Sequence, residues 1–232
     1  MIIRLEFSRE QKSIYLSHLD LMRAFGRAAR RAELPLKYSD GFNPHARMVF
    51  GLPLQVGVAG EAECLDMEFE RDADPADVAA RLNACLPQGV SVGAARIKMA
   101  GGNAMSIISH AEYEMQVKYV KDMGRDLFID LKEAADAFLG PGARIILRKD
   151  KPVDLAPLVR SLRAEGDLLR MIVSAGSVNN VKPDSVLECI NGGPAGGYGG
   201  FARVALRRKA LFTERAGILY KPADCAILGD IK

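Results

Sequence analysis

One order of local patterns occurs twice along this chain, and that repetition constrains the fold more than any single motif does. Ile3, Leu5 and Phe7 alternate with polar residues as a first strand, and Leu19, Met22, Phe25 and Ala29 then fall at helical spacing. Ser17 is a natural N-cap for that helix, which is expected to begin at His18. Asp20, three residues on, completes a capping-box-like pair in which its carboxylate reaches back toward the cap. Residues 49–58 supply a second strand. Residues 64–70 supply a third, with Leu65, Met67 and Phe69 on one face and Asp66, Glu68 and Glu70 on a solvent-facing row. A helix opens at Pro75, a favoured first-turn residue, and runs through Val78, Leu82 and Cys85. A strand over residues 90–98 closes the set as βαββαβ.

Gly101, Gly102 and Asn103 interrupt the pattern as a short linker, after which it starts again. Tyr113, Met115, Val117 and Tyr119 alternate with polar residues as a half-buried strand. A helix is expected over residues 126–139, strands over 143–149 and 167–174, and an extended or short helical piece over 155–162. A helix over residues 183–190 and a strand over 201–211 complete the second set. The expected fold is α+β, two tandem ferredoxin-like units at residues 1–100 and 108–212, followed by a tail at 213–232.

A chain of 232 residues is long enough for two such cores. Its four cysteines, Cys64, Cys85, Cys189 and Cys225, are scattered without a C-x-x-C pair, which argues against a disulfide framework, a zinc ribbon or a cysteine-held iron–sulfur cluster and suits a reducing cytoplasm. Neither an export leader nor a membrane-spanning apolar run is expected. Charge is uneven. Residues 1–58 carry nine Lys/Arg against five Asp/Glu, residues 60–90 carry two against eight, and 203–209 hold four basic residues.

Residues 38–57, YSDGFNPHARMVFGLPLQVG, are long, irregular and turn-rich, yet hold three aromatics, Tyr38, Phe42 and Phe50, and several apolar residues. They read as an ordered functional loop. Upstream, Arg23, Arg27, Arg30 and Arg31 make a basic stripe that can neutralise phosphates, dock a partner protein or simply face solvent. His18, in the first turn of the helix, is a candidate proton acceptor. His45, after Pro44 and near Arg47, is a candidate acid or base; each imidazole can equally serve to fix local backbone. The row Asp66, Glu68, Glu70 is read as a solvated face rather than a metal site. The stretch GGPAGGYGG at 192–200 lacks the strand-to-helix context of a phosphate loop and reads as a connector, with Tyr198 its only large side chain.

The segment YLSHLDLMRAFGRAARRAELPLKYSDGFNPHARMVFGLPLQVGV, with its Ser-His-Leu-Asp helix start and Gly-Phe-Asn-Pro-His loop, resembles the opening of the bacterial radical SAM-linked proteins, the DUF2344 family. The acidic strand after Glu61, LNACLP at 82–87, VDLAPLVRSL at 153–162, and LLRMIV and KPDSVL within 168–187 resemble it as well. That resemblance implies a protein encoded beside, or fused to, a radical SAM enzyme. The chain lacks the C-x-x-x-C-x-x-C that holds a catalytic cluster, so the partner would carry both the iron–sulfur cluster and S-adenosylmethionine, and this chain would bind no cofactor. The expectation is a cytoplasmic, non-catalytic accessory protein that binds RNA or a ribosome-associated substrate and presents it for modification. Arg23, Arg27, Arg30 and Arg31 would hold the backbone while Phe42, Asn43, His45 and Arg47 contact the reacting region; Asp20 and His18 are further candidates.

Two alternatives stand beside it. Tandem ferredoxin-like units with a histidine after the first helix are similar to RAMP-type endoribonucleases. By that analogy His45 would move the proton, Tyr38 would assist and Arg47 would stabilise the phosphorane, without metal. The other alternative is a protein-only adaptor.

Overall fold

The computed structural model describes residues 1–99, 101–120, 130–142, 144–148, 151–177, 179–192 and 200–225. It is a mixed architecture of β-sheet and helices that divides into two compact units, one of Met1–Ser109 with Arg208–Lys232 and one of His110–Arg207.

Unit 1 opens with β1 (Ile2–Arg9) and α1 (His18–Arg31), continues through β2 (Met48–Phe50), β3 (Ala59–Glu68), α2 (Pro75–Cys85) and β4 (Val90–Ile97), and reaches the short α3 (Ala104–Ile107). The strands lie in the order β4-β1-β3, with β2 also against β3, and every one of these pairings is antiparallel. Ser17 caps α1 as expected, its hydroxyl accepting from the Asp20 amide at 3.1 Å. Its Oγ also donates to the Asp20 carboxylate at 2.7 Å, so the acid meets the hydroxyl. Leu21, Ala24, Phe25, Ala28 and Ala29 form the buried face of α1. Leu19, expected on that face, is 60% exposed, because a first-turn residue two positions before Leu21 points away from the sheet. Ile3, Leu5, Phe7, Leu65, Met67 and Phe69 meet the two helices in one apolar layer with Val78 and Leu82.

The opposite face of this sheet is only in part the solvated row expected from alternation: Glu70 is exposed and Glu68 half-buried, but Asp66 is not in solvent. Asp66 is buried and receives Arg4 as a bidentate pair, Nε to Oδ1 at 2.7 Å and Nη2 to Oδ2 at 2.9 Å. Arg4 also donates to the carbonyls of Gly102 and Pro222, and the Ala104 amide donates to Asp66 at 2.9 Å. Residues distant in sequence therefore cover this face. The second expected strand is likewise shorter, ending at Phe50. Gly51 still donates to the Cys64 carbonyl at 2.7 Å, but Pro53 lacks a donor and the chain turns away before Gly57, whose φ is +84°. The third strand instead begins earlier, at Ala59.

Unit 2 holds β5 (His110–Tyr119), α4 (Leu131–Leu139), β6 (Ile145–Arg148), β7 (Lys151–Asp154), β8 (Val159–Glu165), β9 (Leu168–Ser174) and α5 (Pro183–Asn191). The last strand, β10 (Phe201–Arg215), gives its residues through Arg207 to this unit and those from Arg208 to unit 1. There β11 (Ile218–Tyr220) pairs with it and α6 (Pro222–Cys225) follows. The segment expected as a separate tail thus continues a strand into unit 1. The unit 2 sheet runs β10-β5-β9-β8. The strand expected at 143–149 lies off that sheet: β6 and β7 form their own two-stranded ribbon, and β8 takes the sheet position. A turn of 3₁₀ helix at Ala156–Leu158 leads into β8. Residues 126–129 of the expected helix and residues 193–199 of the Gly-rich stretch, Tyr198 included, lie outside the described residues. Among the described residues, no helix is long and apolar enough to cross a membrane.

Candidate functional site

Residues 36–47 form an irregular hairpin tied to the end of β3. Leu36 bridges to Phe69 and Tyr38 to Ala46. Arg47 N donates to Lys37 O at 2.9 Å, Lys37 N to Glu68 O at 2.9 Å and Glu68 N to Arg47 O at 3.0 Å. Met48 carries the hairpin onto α1, where it packs beside Gly26. Side chains brace the stem: Glu68 accepts from Lys37 at 2.8 Å and from Arg47 at 3.5 Å, and Arg47 also reaches Asp40 at 3.4 Å. The Lys37 hydrogen bond is the main reason the Glu68 carboxyl sits below its ordinary value. Partial burial opposes it, and the Lys37 and Arg47 charges reinforce it.

Across the tip, Ser39 N donates to His45 O at 2.9 Å, His45 N donates to Ser39 Oγ at 3.1 Å, and that hydroxyl lies 2.9 Å from His45 Nδ1. The imidazole is exposed and oriented. Gly41 has φ +115°, a conformation that L side chains rarely adopt, and Phe42, next in the chain, is fully exposed with Asn43 beside it.

The stripe on α1 divides. All four arginines are exposed; Arg23 pairs with Asp20 at 3.3 Å, while Arg27 and Arg30 make no ion pair among the described residues. Arg31 instead donates to the Cys85 carbonyl at the end of α2, and Arg81 of α2 donates to Ala32 O at the end of α1, so the two helices cap each other's C-termini. Asp20 lies below its ordinary value chiefly through the Ser17 hydroxyl, with Arg23 adding to the effect.

His18 is not part of the hairpin tip. Its ring packs edge-on against Phe50 at 5.3 Å, in a cluster with Phe7 and Phe25, and it lines a narrow crevice with Arg9, Glu63 and Cys64. Tyr38 is half-buried against the core and joins the stem through its backbone. Ser39, Asp40, Lys37 and Glu68, which orient His45 and Arg47, were not singled out as a group from sequence. Their signal was the adjacency of opposite charges in a loop and on a strand that only folding brings together. Among the described residues no cluster of three or more His, Cys, Asp or Glu side chains can hold a metal ion.

These residues lie within a conserved family. Residues 3–183 match the family described as "Uncharacterized protein conserved in bacteria (DUF2344)". The chain belongs to DUF2344. Helix α1, the hairpin and most of both units fall inside that match. No curated protein matches the chain. Among solved structures, the dye-decolorizing protein from V. cholerae is similar at 9% identity and TM-score 0.25, with 88% of this chain and 90% of that one covered. A structure titled "CRISPR endoribonuclease Cse3 bound to 19 nt RNA" is similar at 12% identity and TM-score 0.24, covering 88% and 98%. Likenesses at this level carry no argument about fold or activity.

Proposed function

We propose that this DUF2344 protein is a cytoplasmic, non-catalytic accessory protein that binds RNA or a ribosome-associated substrate and presents it to a radical SAM enzyme for modification. On this reading both units are ferredoxin-like, which the two strand orders β4-β1-β3-β2 and β10-β5-β9-β8 support. The observation that carries the RNA reading is the exposed face of α1. Arg27 and Arg30 stand in solvent without a carboxylate partner among the described residues, with Arg23 one turn away. Unpaired guanidinium groups on a rigid helix are ready to take phosphates without first breaking an ion pair, and each one engaged releases condensed counterions.

The partner enzyme would supply the radical chemistry through its own cluster and S-adenosylmethionine, and this chain would supply the grip on the substrate. The test is RNA binding across a salt series. Arg27→Glu/Arg30→Glu is expected to weaken binding and flatten its salt dependence by about two phosphate contacts, with the fold unchanged by circular dichroism. Equal binding and equal slope in the variant would remove α1 from the interface.

A second reading, metal-independent RNA cleavage, is favoured by the oriented imidazole of His45 alone. Cleavage of the same RNA in chelator by the wild type and not by His45→Ala would replace the accessory reading.

A further inference from the structure

We infer that the RNA is taken as an unpaired strand, one base of which stacks on the ring of Phe42; this inference rests on the RNA-binding reading above. Of the phenylalanines in the described residues only Phe42 is exposed, at 111% of the reference surface, whereas Phe7, Phe25, Phe50, Phe69, Phe138 and Phe201 are buried. Phe212 is half-buried and Tyr15 is the other ring most open to water, so Phe42 is the one phenylalanine left wholly in solvent among the described residues. The ring does not sit on a slack loop. The Tyr38–Ala46 bridge, the paired Ser39 and His45 contacts and the Arg47 bonds to Lys37 and Glu68 close the hairpin from both sides, and Gly41 turns the chain immediately before Phe42. A tip closed at both ends loses less backbone freedom on stacking than an open loop does.

Its neighbours point to a nucleobase as the occupant. Asp40, Asn43 and His45 flank it in the chain, all exposed and able to hydrogen-bond to base edges, and no second large apolar side chain is exposed between residues 39 and 46. A ring that anchors a protein partner is instead expected within a wider apolar patch. Stacking needs an open base face. Paired bases within a duplex have both faces covered, so the class selected is a loop, bulge or single-stranded end. The arginines of α1 would follow the backbone and supply affinity without reading sequence.

The experiment uses a short oligoribonucleotide carrying fluorescent aminopurine, as a single strand and annealed to its complement, with the full-length protein. The single strand is expected to bind more tightly than the duplex and to lose fluorescence on binding. Phe42→Ala is expected to abolish that quenching and weaken single-strand binding about tenfold without changing the salt slope, and Phe42→Trp to restore both. Equal binding of both RNAs by wild type and Phe42→Ala, with Arg27→Glu/Arg30→Glu weakening both, would overturn the stacking inference and leave the basic-helix reading standing. Salt-independent failure to bind either RNA would overturn both. If Phe42→Ala left RNA binding intact but lost the purified enzyme partner, the tip would be a protein anchor and the inference would fall.

Discussion

In unit 1 the last strand of the set is fastened by Asn83 of α2, whose side chain donates to Val92 O at 2.9 Å and accepts from Val92 N at 2.7 Å. In unit 2 Asn191 of α5 makes the same pair with Phe201, at 2.7 and 2.9 Å. Strand order and fastening are shared, but what is buried is not. Arg4, Arg9, Glu63, Asp66 and Arg208 are the buried charged side chains among the described residues, and all belong to unit 1. The connection that follows the first helix differs as well. In unit 1 it is the hairpin that projects Phe42 and His45. In unit 2 it is the β6–β7 ribbon, which borders a cavity of about 390 Å³ lined by Ile146, Val153 and Leu155 with Asn180, Lys182 and Glu188. The first connection thus presents an exposed tip, and the second borders a pocket of mixed polar and apolar lining.

The largest expected effect tests whether charge holds unit 1 as apolar packing holds unit 2. Arg4 joins β1 to β3 and reaches Gly102 and Pro222, so Arg4→Met strands Asp66 in a buried setting. A loss of about 3–5 kcal/mol is expected in chemical denaturation. Burial disfavours the Arg4 charge, but the Asp66 hydrogen bonds and charge outweigh it and leave the guanidinium raised overall. Arg4→Met/Asp66→Leu is expected to recover most of the loss, since a packed apolar pair replaces the ion pair. Leu162→Ala in unit 2 is expected to cost about 2–5 kcal/mol by cavity formation alone. A loss below about 1 kcal/mol in Arg4→Met would mean that both units are held by the same apolar means.

A smaller effect tests the shared fastening. Asn83→Ala and Asn191→Ala each release one backbone N–H and one C=O of a buried strand residue and are expected to cost about 1–2 kcal/mol apiece. Similar values from the two variants would sharpen the equivalence of the units. A cost at one site only would show that the second asparagine is a surface contact without structural weight.

Much of this comparison was legible before folding. The Ser17 cap, the Pro75 helix start and the alternation of Ile3, Leu5 and Phe7 are local, and each reads directly from spacing. Asp66 was misread for a physical reason: alternation separates two faces but does not say what covers the second. Here Pro222 arrives from 218 residues away from Arg4 to cover it. The β6–β7 ribbon was misread similarly, because a four-residue strand carries no mark of which sheet it joins. In the hairpin, Phe42 and His45 were legible as unusual residues in a loop. Their bracing by Glu68 was not, because Glu68 lies on a strand that pairs with the stem only in the fold.

The smallest expected effect is on that bracing. Because Glu68 titrates below its ordinary value of 4.5 in the fold, the stabilisation it gives is fully present above that value and is lost as pH falls through the lowered one. Partly exposed ion pairs are weak, so Glu68→Gln at neutral pH is expected to lower amide protection at Ser39 and Arg47 only about twofold to fivefold. In the wild type the same loss should occur only in acid, below pH 4.5, and the two proteins should then coincide. Protection within β8 and β9 should not respond, since no part of unit 2 uses this carboxylate. Amide exchange followed residue by residue across pH decides the matter. Loss confined to the hairpin would show that its tip is held by charge at the stem, as a platform must be. If Ser39 and Arg47 kept their protection in Glu68→Gln, the backbone bonds alone would set the loop, and Lys37 and Arg47 would be released to take phosphates alongside Arg27 and Arg30.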